Sequence, residues 1–247
     1  MLRKLIEGLT DLLLPRPPVC VLCGVRRKQV ASLCPLCRDM IESYRCEPVC
    51  KLCGRYLLPY PGAEDIFSDR CPECSSGGSW PFAAARSAGA YEGLLKEAVR
   101  QLKYYNARWM VGPLAGLLAE LYAGEECFAG AEIIVAVPMT VKKQRQRGYN
   151  QAELLAQELG KIIKLPVQSA VVKVIDTPSQ VGLSRSEREA NLSGVFNLAG
   201  SDLRGKKIVV VDDIFTTGST LAAVARTLTV GGAGEIVGLT LAAGRYK

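Results

Sequence analysis

The sequence predicts an α/β chain, a mostly parallel sheet with helices on both faces, preceded by a small cysteine-rich module. Three observations predict it. Eight cysteines fall into four CxxC pairs within residues 1–80. The Gly/Ser stretch SSGGSWP (Ser75 to Pro81) ends that pattern. Beyond it, short apolar runs alternate with segments of helical periodicity, the signature of a sheet layered with helices. The domain boundary is therefore placed at residue 80, with an N-terminal helix and the cysteine units in 1–80 and the α/β domain in 81–247.

The first element, MLRKLIEGLTDLLLP, sets Leu2, Leu5, Ile6, Leu9, Leu12 and Leu13 at helical spacing. Glu7 and Asp11 interrupt what a signal peptide needs as an uncharged core, and the run is too short to span a membrane. It reads as a short amphipathic helix packed on the body of the protein. The expected location is the cytoplasm, where closely paired cysteines indicate metal rather than disulfides.

The pairs are Cys20 with Cys23, Cys34 with Cys37, Cys50 with Cys53 and Cys71 with Cys74. CVLCG is followed by CPLC, and the CKLCG at Cys50 by CPEC, so two similar units lie in tandem. A CxxC turn aims two thiolates at one ion, and Gly24 and Gly54 suit the tight knuckle. Two such pairs complete a tetrahedral site, which predicts a double zinc ribbon with two structural zinc ions. The second unit has 17 residues between its pairs and the first has ten. Cys46 competes with Cys50 as a ligand, the four pairs join either sequentially or crossed, and Cys127 is read as a small buried hydrophobe. Ten cysteines and no histidine among 247 residues exclude a histidine general base, a Ser-His-Asp triad and mixed Cys/His zinc sites. A net charge of +7 is compatible with a phosphate-bearing ligand or nucleic acid, but no region is a polybasic arm.

In the α/β portion, YEGLLKEAVRQLKYY and VGPLAGLLAELYAG read as helices, the first with Leu94, Leu95, Ala98, Val99 and Leu102 on one face. Lys103 at its end either faces a phosphate or favours the helix C-terminus. AEIIVAVP reads as a strand, NQAELLAQELGKII as a helix, VQSAVVKV and IVVV as strands, STLAAVARTLTVGG as a helix and EIVGLTLAA as the last strand.

The stretch KKIVVVDDIFTTGSTLAAV carries the chemistry. Ile208 to Val211 form a central strand, Asp212 and Asp213 emerge at its C-terminal end, and Thr216, Thr217, Gly218, Ser219 and Thr220 lead into a helix. Ligands bind at that edge of open α/β sheets. Gly218 permits a tight loop whose amides and hydroxyls can surround a monophosphate at a helix N-terminus, while adjacent carboxylates suit ribose hydroxyls. No lysine follows the glycine in the manner of an ATP-binding P-loop.

The thirteen residues IVVVDDIFTTGST resemble the motif by which type I phosphoribosyltransferases hold 5-phosphoribosyl 1-pyrophosphate (PRPP). Together with VPMTVKKQRQRGYNQAELLAQ, DTPSQVGLSRSEREANLSGVF and the paired cysteines, the resemblance narrows to the ComF family of late competence proteins and covers nearly the whole chain. It implies a type I phosphoribosyltransferase-like domain in which Asp212 and Asp213 contact ribose hydroxyls and Thr216 to Thr220 the 5'-phosphate. Pro138, Met139 and Thr140 take the place of the pyrophosphate loop. Arg145 and Arg147 either neutralise pyrophosphate or form a solvated helix entrance, and Asn150 caps the next helix. Asp176 to Asn191 correspond to the mobile loop over the reacting centre, with Ser184, Arg185 and Arg188 read as solvent-exposed. The chain departs from the family at Thr140, where relatives often carry a histidine.

The resemblance further implies magnesium with PRPP, and a role in DNA uptake during natural transformation, with single-stranded DNA and uptake-machinery proteins as partners. Phosphoribosyl transfer relies on positioning and on charge stabilisation of the leaving group, so the missing histidine is no objection. A glutamine-dependent transfer needs an N-terminal nucleophilic cysteine, whereas the first cysteine here is Cys20 in a metal-type pair. The expected function is thus a PRPP-binding phosphoribosyltransferase of unknown acceptor; the alternative is an adaptor that responds to PRPP, or binds single-stranded DNA or protein, without turnover. The sequence is compatible with a homo-oligomer.

Overall fold

The computed structural model describes residues 19–26, 33–57, 69–76, 80–176 and 194–246. The expected N-terminal helix lies outside them, as do residues 177–191 of the expected mobile loop.

Each cysteine unit begins with the expected knuckle. Val19 bridges Arg26 and Val49 bridges Tyr56, both antiparallel. The Gly24 and Gly54 amides close the turns on the Cys20 and Cys50 carbonyls at 2.9 and 2.8 Å. The second pair of each unit differs from a ribbon's second knuckle, because it opens a helix. Cys34 is the N-cap residue of α1 (Pro35–Cys46) and Cys71 that of α2 (Pro72–Ser75). The proline of each CPxC has no amide to leave unsatisfied and presets the helical φ, which is why the chain turns helical there.

The main sheet has four parallel strands: β1 (Ala84–Ala90), β2 (Ile133–Ala136), β5 (Ile208–Phe215) and β6 (Ile236–Ala243), in the order β1-β6-β5-β2. Helices α3 (Gly93–Tyr104), α4 (Val111–Gly124), α5 (Val141–Arg147), α6 (Gln151–Ile163) and α7 (Ser219–Val230) surround it. Strand alternation places them. Ile134, Val209 and Val237 are in register on one face and Val135, Val210 and Gly238 on the other. Gly160 of α6 lies against Ile134, and Leu221 of α7 fills the space above Gly238, so these two helices cover opposite faces.

Three expectations are corrected. The strand that begins at Ile208 runs to Phe215, so Asp212 and Asp213 lie inside it; pairing with β6 continues through Asp212 opposite Thr240. VQSAVVKV does not form one strand of the main sheet. Val167 makes a single parallel bridge to Ile134, and the chain then leaves to form β3 (Val171–Lys173), antiparallel to β4 (Phe196–Leu198). Exposed Val172, Val174 and Ile175 show that this hairpin is covered on one face only. Leu95, Ala98, Val99 and Leu102 are buried as expected, but Leu94 faces outward.

The cysteine module shields the β1 edge, which would otherwise expose unpaired amides and carbonyls. The Ala85 amide donates to the Leu52 carbonyl at 2.9 Å, and Tyr56 bridges Arg245 beyond β6. Gly54, at φ +69°, is obligatory at this contact, since a Cβ there would stand 2.3 Å from the Ala85 carbonyl oxygen. No helix among the described residues is long and apolar enough to cross a membrane.

Candidate functional site

The eight paired cysteines form two clusters, Cys20/Cys23/Cys34/Cys37 and Cys50/Cys53/Cys71/Cys74, the Sγ atoms in each lying within 4.8 Å of one another. The pairs therefore join sequentially. Cys46 is exposed and outside both clusters, and Cys127 is only partly buried. A tetrahedral zinc site with Zn–S of about 2.3 Å has S···S edges of about 3.8 Å; Cys23 and Cys34 are 3.7 Å apart and Cys53 and Cys71 3.8 Å. An all-thiolate donor set of this size fits zinc. The Cys53 thiol, and then backbone amides, hold Cys50 down to about 4, in the thiolate form that a metal requires. Arg55 is buried beside the second cluster, its Nε 3.4 Å from Cys53 Sγ and its Nη2 3.4 Å from Cys71 Sγ, while Nη2 also pairs with Glu73. Four thiolates leave a net negative cluster even with a divalent ion, and Arg55 offsets it. Arg55→Met removes this cation from buried anions, and we expect a loss of about 2 kcal/mol or more in urea denaturation, with reduced metal retention.

At the C-terminal edge of the sheet, β5 and α3 bring two distant residues together. Lys103 Nζ lies 3.0 Å from Asp213 Oδ1, and the Asp213 side chain is 3% exposed. Lys103 stands in the last turn of α3, as one of its two expected roles requires, and it also faces a carboxylate. Burial works to lower the ammonium, but Asp213 and Asp212 outweigh it and hold Lys103 above its usual range. Tyr149 fixes the end of α3 by donating its hydroxyl to the Leu102 carbonyl. The other carboxylate oxygen, Asp213 Oδ2, is buried without a hydrogen-bond partner. Such an orphan acceptor is costly unless a ligand donor reaches it.

Asp212, half-buried on the opposite side of the strand, is pushed up to about 8 by burial and then by the Asp213 charge. A carboxyl whose folded value lies above its unfolded value of about 4 holds its proton in the folded state while the unfolded chain has released it. Its stabilising contribution is full below pH 4 and is lost as pH rises through 8. The ligand-free protein should therefore unfold several degrees higher at pH 5 than at pH 8, and Asp212→Asn should flatten that difference in thermal scans.

The loop after β5 turns sharply into the N-terminus of α7. Gly218, at φ +78°, is the N-cap residue of α7 and supplies no capping side chain, while the Thr217 and Ser219 hydroxyls lie 2.9 Å apart. Thr216 is exposed and Thr220 half-buried. A Cβ on Gly218 would stand 2.6 Å from Phe215 and 2.9 Å from Trp80. Gly218→Ala is thus strained by both backbone and packing, and should lower stability by about 2 kcal/mol or more in chemical denaturation.

The loop after β2 faces the same edge. Asn150 Nδ2 donates to the Val137 carbonyl at 3.0 Å, and its Oδ1 caps α6 by accepting from the Ala152 amide at 3.1 Å, as expected of a cap. Met139 is half-buried. Thr140 caps α5 by accepting from the Lys143 amide at 3.3 Å, and donates to Asp176. Arg145 is exposed on an open recess lined by Val141, Gln144 and Gly148. Arg147 donates to Gln151 at 2.6 Å and lies over the Tyr104 ring at 5.4 Å.

Lys173 on β3 escaped the sequence reading. Burial, then Lys143, pull its ammonium below the usual lysine range, with Asp176 and Asp212 acting in the opposite sense. No local motif marks it, because only the hairpin brings it to the carboxylates.

A parallel sheet whose C-terminal edge carries two acidic residues and an anion-receptive turn into a helix defines a class. A profile of the phosphoribosyl transferase domain matches residues 145–246, from α5 through β6. The relatives narrow it further. The chain is 33% identical to Competence protein F of Haemophilus influenzae over 83% of this chain and 87% of that protein. It is 30% identical to the DNA utilization protein YhgH of Escherichia coli over 84% of this chain and 95% of the relative. Competence protein ComFC of Bacillus subtilis matches at 23% over 88% and 80%. The chain belongs to the ComF family of competence proteins, and it carries a phosphoribosyl transferase domain.

Proposed function

We propose that the chain binds PRPP with magnesium across the C-terminal edge of the sheet and serves the handling of DNA taken up in natural transformation. The observation that carries the first half is Asp213, a buried carboxylate with one oxygen on Lys103 and the other without a partner, next to an anion-receptive loop. Ribose hydroxyls are donors of the kind that Asp213 Oδ2 lacks, and the loop from Thr216 to Thr220 has the amides and hydroxyls for the 5'-phosphate. Met139 and Thr140 line the pyrophosphate side, Arg145 and Lys173 supply cations there, and Lys103 holds Asp213 in place. Oxygen donors from the acidic pair suit magnesium, which when bound neutralises the departing pyrophosphate.

The reaction this arrangement serves is displacement of pyrophosphate from PRPP by an acceptor. As the C1–acceptor bond forms and the C1–oxygen bond to pyrophosphate breaks, the acceptor's proton passes to the departing pyrophosphate or to water. The chain's residues position the ribose, and little protein acid or base chemistry is needed. The two cysteine clusters hold structural zinc. The chain acts in the cytoplasm, in two parts that meet near residue 80, and the acceptor and the oligomeric state are open to the same experiments.

Names of relatives that refer to competence and DNA utilization support the second half. So does the surface beside the site. Tyr104 and Tyr105 are 67% and 61% exposed, and Arg147 lies over Tyr104. Exposed rings with interleaved cations are stacking platforms for single-stranded nucleic acid. Tyr104→Ala with Tyr105→Ala should weaken single-stranded DNA binding about tenfold or more in a fluorescence titration, and that binding should weaken as salt is raised.

The discriminating experiment measures pyrophosphate release from PRPP with nucleobases, ammonia and single-stranded DNA as acceptors. Release above the acceptor-free rate supports transfer. Tight binding without release under any acceptor favours the adaptor reading, and no binding removes both.

A further inference from the structure

Trp80 touches both sites. Its Nε1–H donates to Cys74 Sγ at 3.2 Å, so one end of the indole is hydrogen-bonded to the second cysteine cluster. The six-membered ring at the other end packs under Gly218, where an added Cβ would meet it at 2.9 Å. Trp80 is nearly buried, stacks on Phe82 with centroids 5.0 Å apart, and meets Phe215 at 6.5 Å. Phe215 is the last residue of β5, immediately before the loop, and its carbonyl accepts from the Gly244 amide at 2.8 Å. One rigid side chain therefore spans from a cluster sulfur to the backbone of the glycine on which the anion loop turns.

We infer that Trp80 is a positioning residue through which the Cys50/Cys53/Cys71/Cys74 site sets the conformation of the phosphate loop. The reasoning is mechanical. A planar ring with two rotatable bonds, nearly buried and packed against the Phe82–Phe215 pair, has little freedom to absorb displacement of Cys74. A thiolate held by a metal is a fixed, charged acceptor, and the indole N–H bond to it is charge-assisted. The four Sγ atoms lie within 4.8 Å of one another, a crowding that a shared ion holds in place, and without the ion the sulfurs are free to move apart. Cys74 then ceases to be a fixed acceptor, and the ring under Gly218 loses its anchor. The loop's amides converge only if Gly218 keeps its left-handed turn, so the state of the cysteine site becomes a term in phosphate affinity. That last step rests on the PRPP reading, whereas the mechanical link does not.

The test separates the two. Hydrogen exchange of the ligand-free full chain is followed over residues 216–222, with residues 111–124 of α4 as the internal reference. Trp80→Phe keeps a ring near Phe82 but removes the N–H donor together with the outer indole carbons under Gly218, so its exchange reports on the whole span. The chelation comparison between wild type and Trp80→Ala reports on the link to the cluster. We expect exchange at 216–222 to rise about fivefold in Trp80→Phe, the equivalent of one hydrogen bond of about 1 kcal/mol, and further in Trp80→Ala, with α4 unaffected. Chelation loosens the chain generally, and in the wild type it should raise exchange at 216–222 by more than it raises exchange in α4, an excess that should be small in Trp80→Ala, where the link is already cut. Unchanged protection in Trp80→Phe would overturn the inference. So would an excess over α4 of equal size in wild type and Trp80→Ala, or a chain isolated without metal on these four cysteines. Failure of the wild type to bind PRPP would remove the proposed ligand and leave these exchange results standing.

Discussion

Asp212→Asn combined with Asp213→Asn is expected to weaken PRPP binding by at least about 100-fold, because a charge-assisted hydrogen bond at Asp213 and an ordinary one at Asp212, together worth roughly 3 kcal/mol, are lost. The two positions contribute differently to the fold. Asp213 is paired with Lys103, and its loss leaves a buried ammonium without its anion, so Asp213→Asn alone should lower stability. Asp212 is held protonated near neutrality by burial and by its neighbour, so Asp212→Asn alone should raise stability at pH 8 while still costing affinity. A substitution that stabilises the chain and weakens its ligand is difficult to explain by general damage. Calorimetric titration with PRPP and magnesium, run beside thermal scans of the same variants, checks both signs.

The second large effect is expected from the cysteine clusters. The purified chain should carry about two zinc ions, released stoichiometrically by a thiol-reactive reagent. Chelation or Cys50→Ser should destabilise the protein by about 5 kcal/mol or more, since structural zinc in small modules contributes about 10–16 kcal/mol to their folding. The effect should extend to the sheet. The Ala85 amide and the Tyr56–Arg245 bridge are satisfied by the second knuckle, and Arg245 also pairs with Glu47 and Glu92. Losing that knuckle uncovers the β1 edge, so aggregation should accompany metal loss. Metal content near two, with unchanged stability after complete removal, would show that the ion does not support the fold.

Much of this was legible in the sequence wherever a local rule coincided with the tertiary one. The helix read over VGPLAGLLAELYAG is α4, residue for residue. Asn150 caps α6 because its side chain satisfies an orphan amide whatever surrounds it. The four CxxC pairs form two clusters as their spacing suggests, but that they join sequentially rather than crossed is visible only in the structure. Where the sequence misled, long-range pairing had overridden local preference. Aspartates are poor strand formers, yet Asp212 and Asp213 stay in β5 because its pairing with β6 continues past them to Phe215 opposite Ala243, although β2 ends opposite Val211. β1, AARSAGA, has almost no strand propensity and is held extended by β6 and by the cysteine module. The Lys103–Asp213 pair and the span of Trp80 from Cys74 to Gly218 join residues more than a hundred positions apart, and no spacing rule reports such contacts.

The central claim is that the acidic pair and the anion loop together hold PRPP. Calorimetric titration of the wild-type chain with PRPP, with and without magnesium, tests it most directly. We predict one PRPP per chain, tighter with magnesium than without, and displaceable by excess pyrophosphate. A flat titration in both conditions, from a folded chain with its zinc in place, would contradict the account.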